Sequence, residues 1–223
     1  MTAVARDAPG GGPRDDGAVV VVGASWGGLH AVSTILRGLP ATHRAPIVVV
    51  QHRGRDGEGL LARLLQDVTP LQVCEVDDKQ AVLAGHVYVA PPDYHLLVED
   101  GGPAGAHFTL TTDGPVRYSR PSIDVTMVAA AEAFGPRALA VVCTGANDDG
   151  ARGARRVVDR GGAVLVQDPA TAEVRTMPEA AVRHLATAER ARWDVAPLDQ
   201  LGARVARGVR ALLGGGALRG AAA

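Results

Sequence analysis

Val19-Val-Val-Val-Gly-Ala-Ser-Trp-Gly-Gly28 is the stretch that decides how this chain folds. Ala18–Val22 is short, apolar and β-branched, which predicts a buried strand. Gly23 is expected to end that strand. Gly27 and Gly28 are expected to open an amphipathic helix over about Leu29–Arg37, with Leu29, Val32, Ile35 and Leu36 on one face. Ser25 lies between the two elements. A serine at the carboxyl end of a strand, facing the first turn of a helix, sits where open α/β sheets hold their ligands. Backbone N–H groups at such a turn point outward and stabilise a negative oxygen. Ser25 is therefore a candidate nucleophile.

The same pattern recurs downstream. Pro46–Val50 predicts a second strand, followed at once by Gln51-His52. Strand, helix and strand with short links form a right-handed crossover, so the two strands should be parallel neighbours. His52 then leaves the sheet at the same edge as Ser25. Arg53–Gly59 reads as a polar loop, Leu60–Gln66 as a helix, Leu71–Glu75 as a strand and Gly85–Ala90 as another. His95–Val98 and His107–Thr111 read as a small hairpin. Ser122 is suited to cap a helix over Ile123–Phe134. A strand over Ala138–Cys143 runs into Thr144-Gly-Ala-Asn-Asp-Asp-Gly-Ala151, which brings Asp148 and Asp149 to the same edge. A helix over Ala151–Asp159, a strand over Ala163–Gln167 and helices over about Glu179–Ala186 and Leu198–Leu213 complete the pattern. The expected fold is α/β, a single doubly wound, mainly parallel sheet with helices on both faces and a small β-hairpin insertion. Residues 1–17 are expected to be a disordered tail, 18–213 one catalytic domain, and 214–223 a flexible Gly/Ala tail.

Composition narrows the function. At 223 residues the chain is long enough for one well-buried α/β domain. A net charge of −1 gives no reason to expect nucleic acid or an anionic membrane as partner. No run approaches the roughly 20 apolar residues of a membrane helix, and no export signal is apparent, so a cytoplasmic monomer is expected. Cys74 and Cys143 each sit in an apolar run and read as reduced core thiols. No Cys/His cluster has zinc spacing, so no metal is expected.

Taken singly, Ser25, His52 and Asp149 have plainer readings: a helix cap, a surface or core histidine, and a turn. Their convergence at three strand ends of one sheet changes the balance. A serine hydroxyl is a poor nucleophile near neutral pH. It needs an imidazole to take its proton and a carboxylate to orient that imidazole. The sheet edge offers one of each.

Several motifs occur together in order: Gly23-Ala-Ser-Trp-Gly-Gly28, Gln51-His52, Ala90-Pro-Pro-Asp-Tyr-His95, Pro121-Ser-Ile-Asp124, Thr144-Gly145 with Asp149-Gly-Ala151, Gln167-Asp168, and Met177-Pro178. Over about Ala18–Leu213 the chain resembles the catalytic domain of the bacterial chemotaxis protein-glutamate methylesterases. The resemblance implies a triad of Ser25, His52 and Asp149. It implies removal of methyl groups from glutamate γ-esters on chemoreceptor helices with release of methanol, and in many members deamidation of receptor glutamines. It also implies that backbone N–H groups near Trp26 and Ala146 hold the oxyanion, worth about 3–4 kcal/mol per donor, and that no cofactor takes part. Four features depart from the pattern. Trp26 replaces a small residue, Ala146-Asn147 replaces Met-Gly, and Thr176 replaces the Gly before Met-Pro. Only a short tail precedes the first strand, where the typical enzyme carries a receiver domain, so regulation by phosphorylation within the same chain is not expected. Beside the triad, Asp148 reads as a solvated neighbour, and Arg152, Arg155 and Arg156 as an exposed helix face. His95 reads equally as a cleft or a structural residue.

Three rivals compete with this reading. An ordinary α/β-hydrolase has the G-x-S-x-G elbow, but its serine follows several strands and its triad runs Ser, acid, His. A dinucleotide-binding module needs G-x-G-x-x-G and an acid after the second strand, and both are missing. The third is a related hydrolase or non-catalytic scaffold acting on a signalling partner outside chemotaxis.

Overall fold

A computed structural model describes residues 17–54, 59–189 and 192–214. The expectations for the two tails, apart from Gly17 and Gly214, lie outside these residues, as does most of the loop after Arg53. The strands are β1 (Val19–Ala24), β2 (Ile47–Gln51), β3 (Gln72–Glu75), β4 (His86–Val89), β5 (His95–Glu99), β6 (His107–Thr111), β7 (Ala138–Val142), β8 (Ala163–Gln167) and β9 (Trp193–Ala196). The helices are α1 (Gly28–Arg37), α2 (Leu60–Gln66), α3 (Ile123–Phe134), α4 (Ala151–Asp159), α5 (Thr176–Leu185) and α6 (Leu198–Leu213). Seven strands form one sheet in the order β3-β4-β2-β1-β7-β8-β9, and every pairing in it is parallel. β5 and β6 pair antiparallel as the expected hairpin.

The valine run of β1 follows from its place at the centre of this sheet. A strand covered on both faces has no reason to alternate apolar with polar. Val20, Val22 and Ala24 pack with Ile35 of α1, Leu65 of α2 and Leu201 of α6. Val19 and Val21 pack on the opposite face with Met127 of α3, Val157 of α4, Leu185 of α5 and Phe108 of the hairpin. β1 has β2 on one side, with Ala24 opposite Gln51, and β7 on the other, with Gly23 opposite Val142. Strand order reverses between β1 and β7, and such a switch point opens a crevice at the carboxyl ends of the strands.

Gly23 does not end β1, which continues through Ala24. The glycine serves close packing instead. A Cβ at this position would lie 2.3 Å from Ile123 Cγ2 at the start of α3. Gly150 and Gly153 face the same helix end, where added Cβ atoms would meet Ile123 Cγ2 at 2.8 Å and Met127 Cβ at 2.7 Å. Three glycines thus let the first turn of α3 settle against β1 and α4. Gly23→Ala is expected to lower stability by about 1–3 kcal/mol through overpacking and to reduce activity by displacing the α3 N-terminus. Urea unfolding midpoints and hydrolysis rates of the same preparation check both effects.

Trp193–Ala196 is a strand that its sequence does not advertise. It is a four-residue edge strand containing Asp194. Short, charged edges discourage pairing with other chains, and for the same reason they lack an apolar signature. Asp194 is tied to Arg204 of α6.

Candidate active site

The three candidate residues leave three strand ends at the switch point. Ser25 follows β1 directly, and its N–H donates to Thr144 O just after β7 at 2.9 Å. His52 follows β2, and its N–H donates to Ala24 O at 3.1 Å. Because Ala24 lies opposite Gln51, Ser25 and His52 are the next residues on neighbouring strands, which run about 4.8 Å apart. Gly145 lets the loop after β7 pack closely against Ser25 and Met177. A Cβ there would fall 1.9 Å from Met177 Sδ and 2.8 Å from Ser25 Cβ.

His52 Nε2 lies 2.8 Å from Asp149 Oδ2. An ionised carboxylate only accepts hydrogen bonds, so this nitrogen carries a proton, and in the neutral imidazole Nδ1 then keeps the lone pair. The ring is thus turned opposite to the arrangement in which the acid takes the Nδ1 proton. Nδ1 faces Ser119 Oγ at 3.4 Å. Among the described residues nothing hydrogen-bonds Ser25 Oγ. The spacing of the sequence could not reveal which ring nitrogen meets the acid, nor the presence of Ser119, since both depend on how a loop 67 residues further along returns over the imidazole.

Asp149 is completely buried. Its Oδ2 also accepts from Ile123 N at 2.7 Å, and its Oδ1 accepts from Ser122 Oγ, Asp124 N and Gly150 N at 2.9, 2.9 and 3.0 Å. The carboxylate therefore sits on the N-terminus of α3, where unpaired amides and the helix dipole favour negative charge. Burial works against its ionisation. The hydrogen bonds from His52 and from the Asp124 and Ile123 amides outweigh burial and hold the carboxyl below the ordinary carboxylate range. The favour is returned by Asp124, whose Oδ1 accepts from Gly150 N and Gly153 N at the start of α4 at 2.9 and 2.7 Å. The two helices cap each other through their aspartates. Ser122 is the expected cap of α3, accepting from Val125 N, and it also braces Asp149, a second task that its position in Pro121-Ser-Ile-Asp124 did not disclose.

The remaining candidates separate cleanly. Among the described residues the N–H groups of Trp26 and Ala146 carry no backbone hydrogen bond, and neither do those of Gly27, Asn147 and Asp148, whereas the Ser25, Gly28 and Gly145 amides do. Trp26 is exposed and its indole Nε1 donates to Glu173 Oε1 at 2.8 Å. Asp148 is turned out of the site and pairs with Arg117. His95 is buried and structural, accepting from Ser122 N through Nδ1 and bonding Gly114 O through Nε2. Arg152, Arg155 and Arg156 lie on the outside of α4, paired with Asp124, Asp159 and Glu132. Both cysteines are free thiols, and burial pushes that of Cys143 up to about 12. Among the described residues no three His, Cys, Asp or Glu side chains are placed to hold a metal ion, and no helix is long and apolar enough to cross a membrane. A cavity of about 820 Å³ opens on the outer side of α3, lined by Leu97, Val116, Val125 and Val128. None of the three candidate residues lines it.

Residues 20–205 match the CheB methylesterase family. A putative protein-glutamate methylesterase/protein-glutamine glutaminase of Leptospira interrogans is 41% identical over 73% of this chain and 82% of its own length. The protein-glutamate methylesterase/protein-glutamine glutaminase of a Nocardioides strain is 40% identical over 90% of this chain, and the protein-glutamate methylesterase FrzG of Myxococcus xanthus 38% identical over 83%. The chain spans about half the length of these last two, 53% of each. The crystal structure of the Thermotoga maritima CheB methylesterase catalytic domain superposes with a TM-score of 0.79 at 33% identity, over 86% of this chain and 98% of that one. A doubly wound sheet with its candidate serine, histidine and aspartate at the switch point, matched by sequence over most of its length, places the chain in the CheB methylesterase family.

Proposed function

We propose that residues 18–213 act as a serine hydrolase that removes methyl groups from glutamate γ-methyl esters of chemoreceptor proteins in the cytoplasm. Ser25 Oγ attacks the γ-carbonyl carbon while His52 Nδ1 takes the hydroxyl proton. Asp149 keeps the opposite ring nitrogen protonated and stabilises the imidazolium. The tetrahedral oxyanion lies against the Trp26 and Ala146 N–H groups. As the intermediate collapses, the C–O bond to the methoxy group breaks and His52 returns its proton, so methanol leaves. Water, deprotonated by His52, then attacks the acyl-enzyme and releases glutamate and free Ser25. A glutamine side chain enters the same sequence with ammonia as the leaving group, also giving glutamate. Nucleophile–base hydrogen bonds commonly tighten only as the reacting complex forms, which fits a Ser25 hydroxyl without a hydrogen-bond partner among the described residues, beside an imidazole already held by its acid.

The observation that carries this reading is the His52–Asp149 pair, its carboxylate fully buried and fixed on the α3 N-terminus, one strand away from Ser25. The experiment is methanol release from a methylated receptor cytoplasmic fragment. Stoichiometric methanol with recovery of free glutamate is the expected result. A folded protein that leaves the esters intact would refute the activity.

A further inference from the structure

Aromatic residues are scarce in this chain: two Trp, three Tyr and two Phe. Tyr88 and Phe108 are buried against each other, with ring centroids 4.7 Å apart. Trp26, Tyr94 and Tyr118 are instead exposed, at 66%, 41% and 103%. All three rise from loops at the sheet edge where Ser25 and His52 emerge.

Tyr118 is the most informative of them. Val116 and Ser119 exchange backbone hydrogen bonds of 3.1 and 2.9 Å around a two-residue turn. Arg117 and Tyr118, at its tip, have φ of +51° and +62°. This left-handed pair is hairpin geometry that Asn and Gly adopt readily and a tyrosine adopts only under strain. No burial of the ring offsets the strain. The turn is nevertheless held firmly. Arg117 pairs with Asp148, the neighbour of Asp149. Ser119 Oγ lies 3.4 Å from His52 Nδ1. Arg120 donates to Thr112 O and Asp113 O at 2.7 and 2.9 Å, and to Asp93 Oδ1 in the Tyr94 loop. Across the site, Trp26 follows Ser25 directly, and its indole is tethered to Glu173 instead of packing into the sheet edge. Two large exposed rings therefore stand next in sequence to site residues, the Trp26 indole tethered to Glu173 beside the nucleophile and the Tyr118 ring on a held turn beside Ser119, which faces the base.

We propose that Trp26 and Tyr118 are opposite walls of a polypeptide-binding cleft, and that they make the enzyme recognise the protein segment carrying the ester in addition to the ester itself. The occupant is a stretch of substrate polypeptide whose side chains, flanking the modified glutamate, pack their aliphatic stems on the two rings. The inference rests on the activity proposed above and names what that site reads.

The test compares two esters of the same reactivity, a synthetic peptide of about 15 residues with one central glutamate γ-methyl ester, and N-acetyl-glutamate γ-methyl ester N-methylamide. The quantity read is the ratio of their kcat/KM values. Wild type is expected to prefer the peptide. Trp26→Ala and Tyr118→Ala are each expected to lose at least about ten-fold of that preference, chiefly through the KM of the peptide, while Tyr118→Phe retains it. Tyr118→Asn suits the left-handed backbone, so it is expected to lose the preference with no fall in Tm, which separates recognition from misfolding. An unchanged ratio in both alanine variants, or a wild type without preference, overturns the inference and leaves the esterase reading standing. A folded wild type that cleaves neither ester overturns both.

Discussion

Ser25→Ala and His52→Ala are each expected to reduce kcat on a glutamate γ-methyl ester by on the order of a million-fold, and the double variant by no more than either alone. The reason is that the two groups perform one act. Without His52 the serine hydroxyl keeps its proton and attacks too slowly. Without Ser25 the imidazole has nothing to activate but water. Substrate binding and the amides of Trp26 and Ala146 survive both changes, so a residue of catalysis above the uncatalysed rate remains. Neither substitution leaves a buried charge without partners, since Asp149 keeps the hydrogen bonds from Ser122, Ile123, Asp124 and Gly150 when His52 is removed, and Ser25 Oγ has no partner among the described residues. Folding is therefore retained, and circular dichroism beside methanol release from the single and double variants checks the prediction. Losses that multiply in the double variant would mean that the two residues act independently.

Asp149→Asn is expected to lower kcat by about 10⁴-fold and, unlike the two substitutions above, to cost stability as well. The carboxylate accepts five hydrogen bonds, two at Oδ2 and three at Oδ1. An amide must turn its NH₂ toward one set. Turned toward Oδ2 it confronts His52 Nε2–H and Ile123 N–H, and turned toward Oδ1 it confronts the Asp124 and Gly150 amides. Donor meets donor in a fully buried place either way, at a cost of about 1–3 kcal/mol. With the amide NH₂ facing His52, the tautomer that leaves Nδ1 free is also no longer favoured. The sign of the pH dependence follows from the lowered carboxyl. A group more acidic in the folded chain than in the unfolded one adds stability above the unfolded value, about 3.9 for Asp, and that stability is lost as pH falls through the folded value. Urea midpoints measured from pH 7 to pH 3 should show wild type well above Asp149→Asn at neutral pH and converging on it below about pH 4. A constant gap across that range would mean that the charge on Asp149 does not stabilise the fold.

Much of this architecture was legible in the residues. The β-branched runs at Ala18–Val22, Pro46–Val50, Ala138–Cys143 and Ala163–Gln167 mark the central strands, because strands covered on both faces must be apolar throughout. From their order alone Ser25, His52 and Asp149 arrive at one edge. What stayed hidden depends on contacts between distant segments. Gly23 reads locally as a strand end, and only the approach of Ile123 reveals it as a packing position. Asp124 reads as a first-turn helix acid, and only the head-to-head meeting of α3 and α4 makes it the counterpart of Asp149. Tyr118 and Ser119 lie in a loop with no periodicity, so their return over His52 leaves no local signal. β9 is too short and too polar to be seen before β8 gives it a partner.

The most direct measurement is labelling with a fluorophosphonate probe, which reacts only with a serine activated by its surroundings, followed by mass mapping of the modified peptide. The expected result is a single adduct on Ser25, absent in Ser25→Ala and formed far more slowly in His52→Ala. Methanol release by a protein whose Ser25 remains unlabelled, or an adduct on another serine such as Ser119, would contradict a nucleophile at the end of β1.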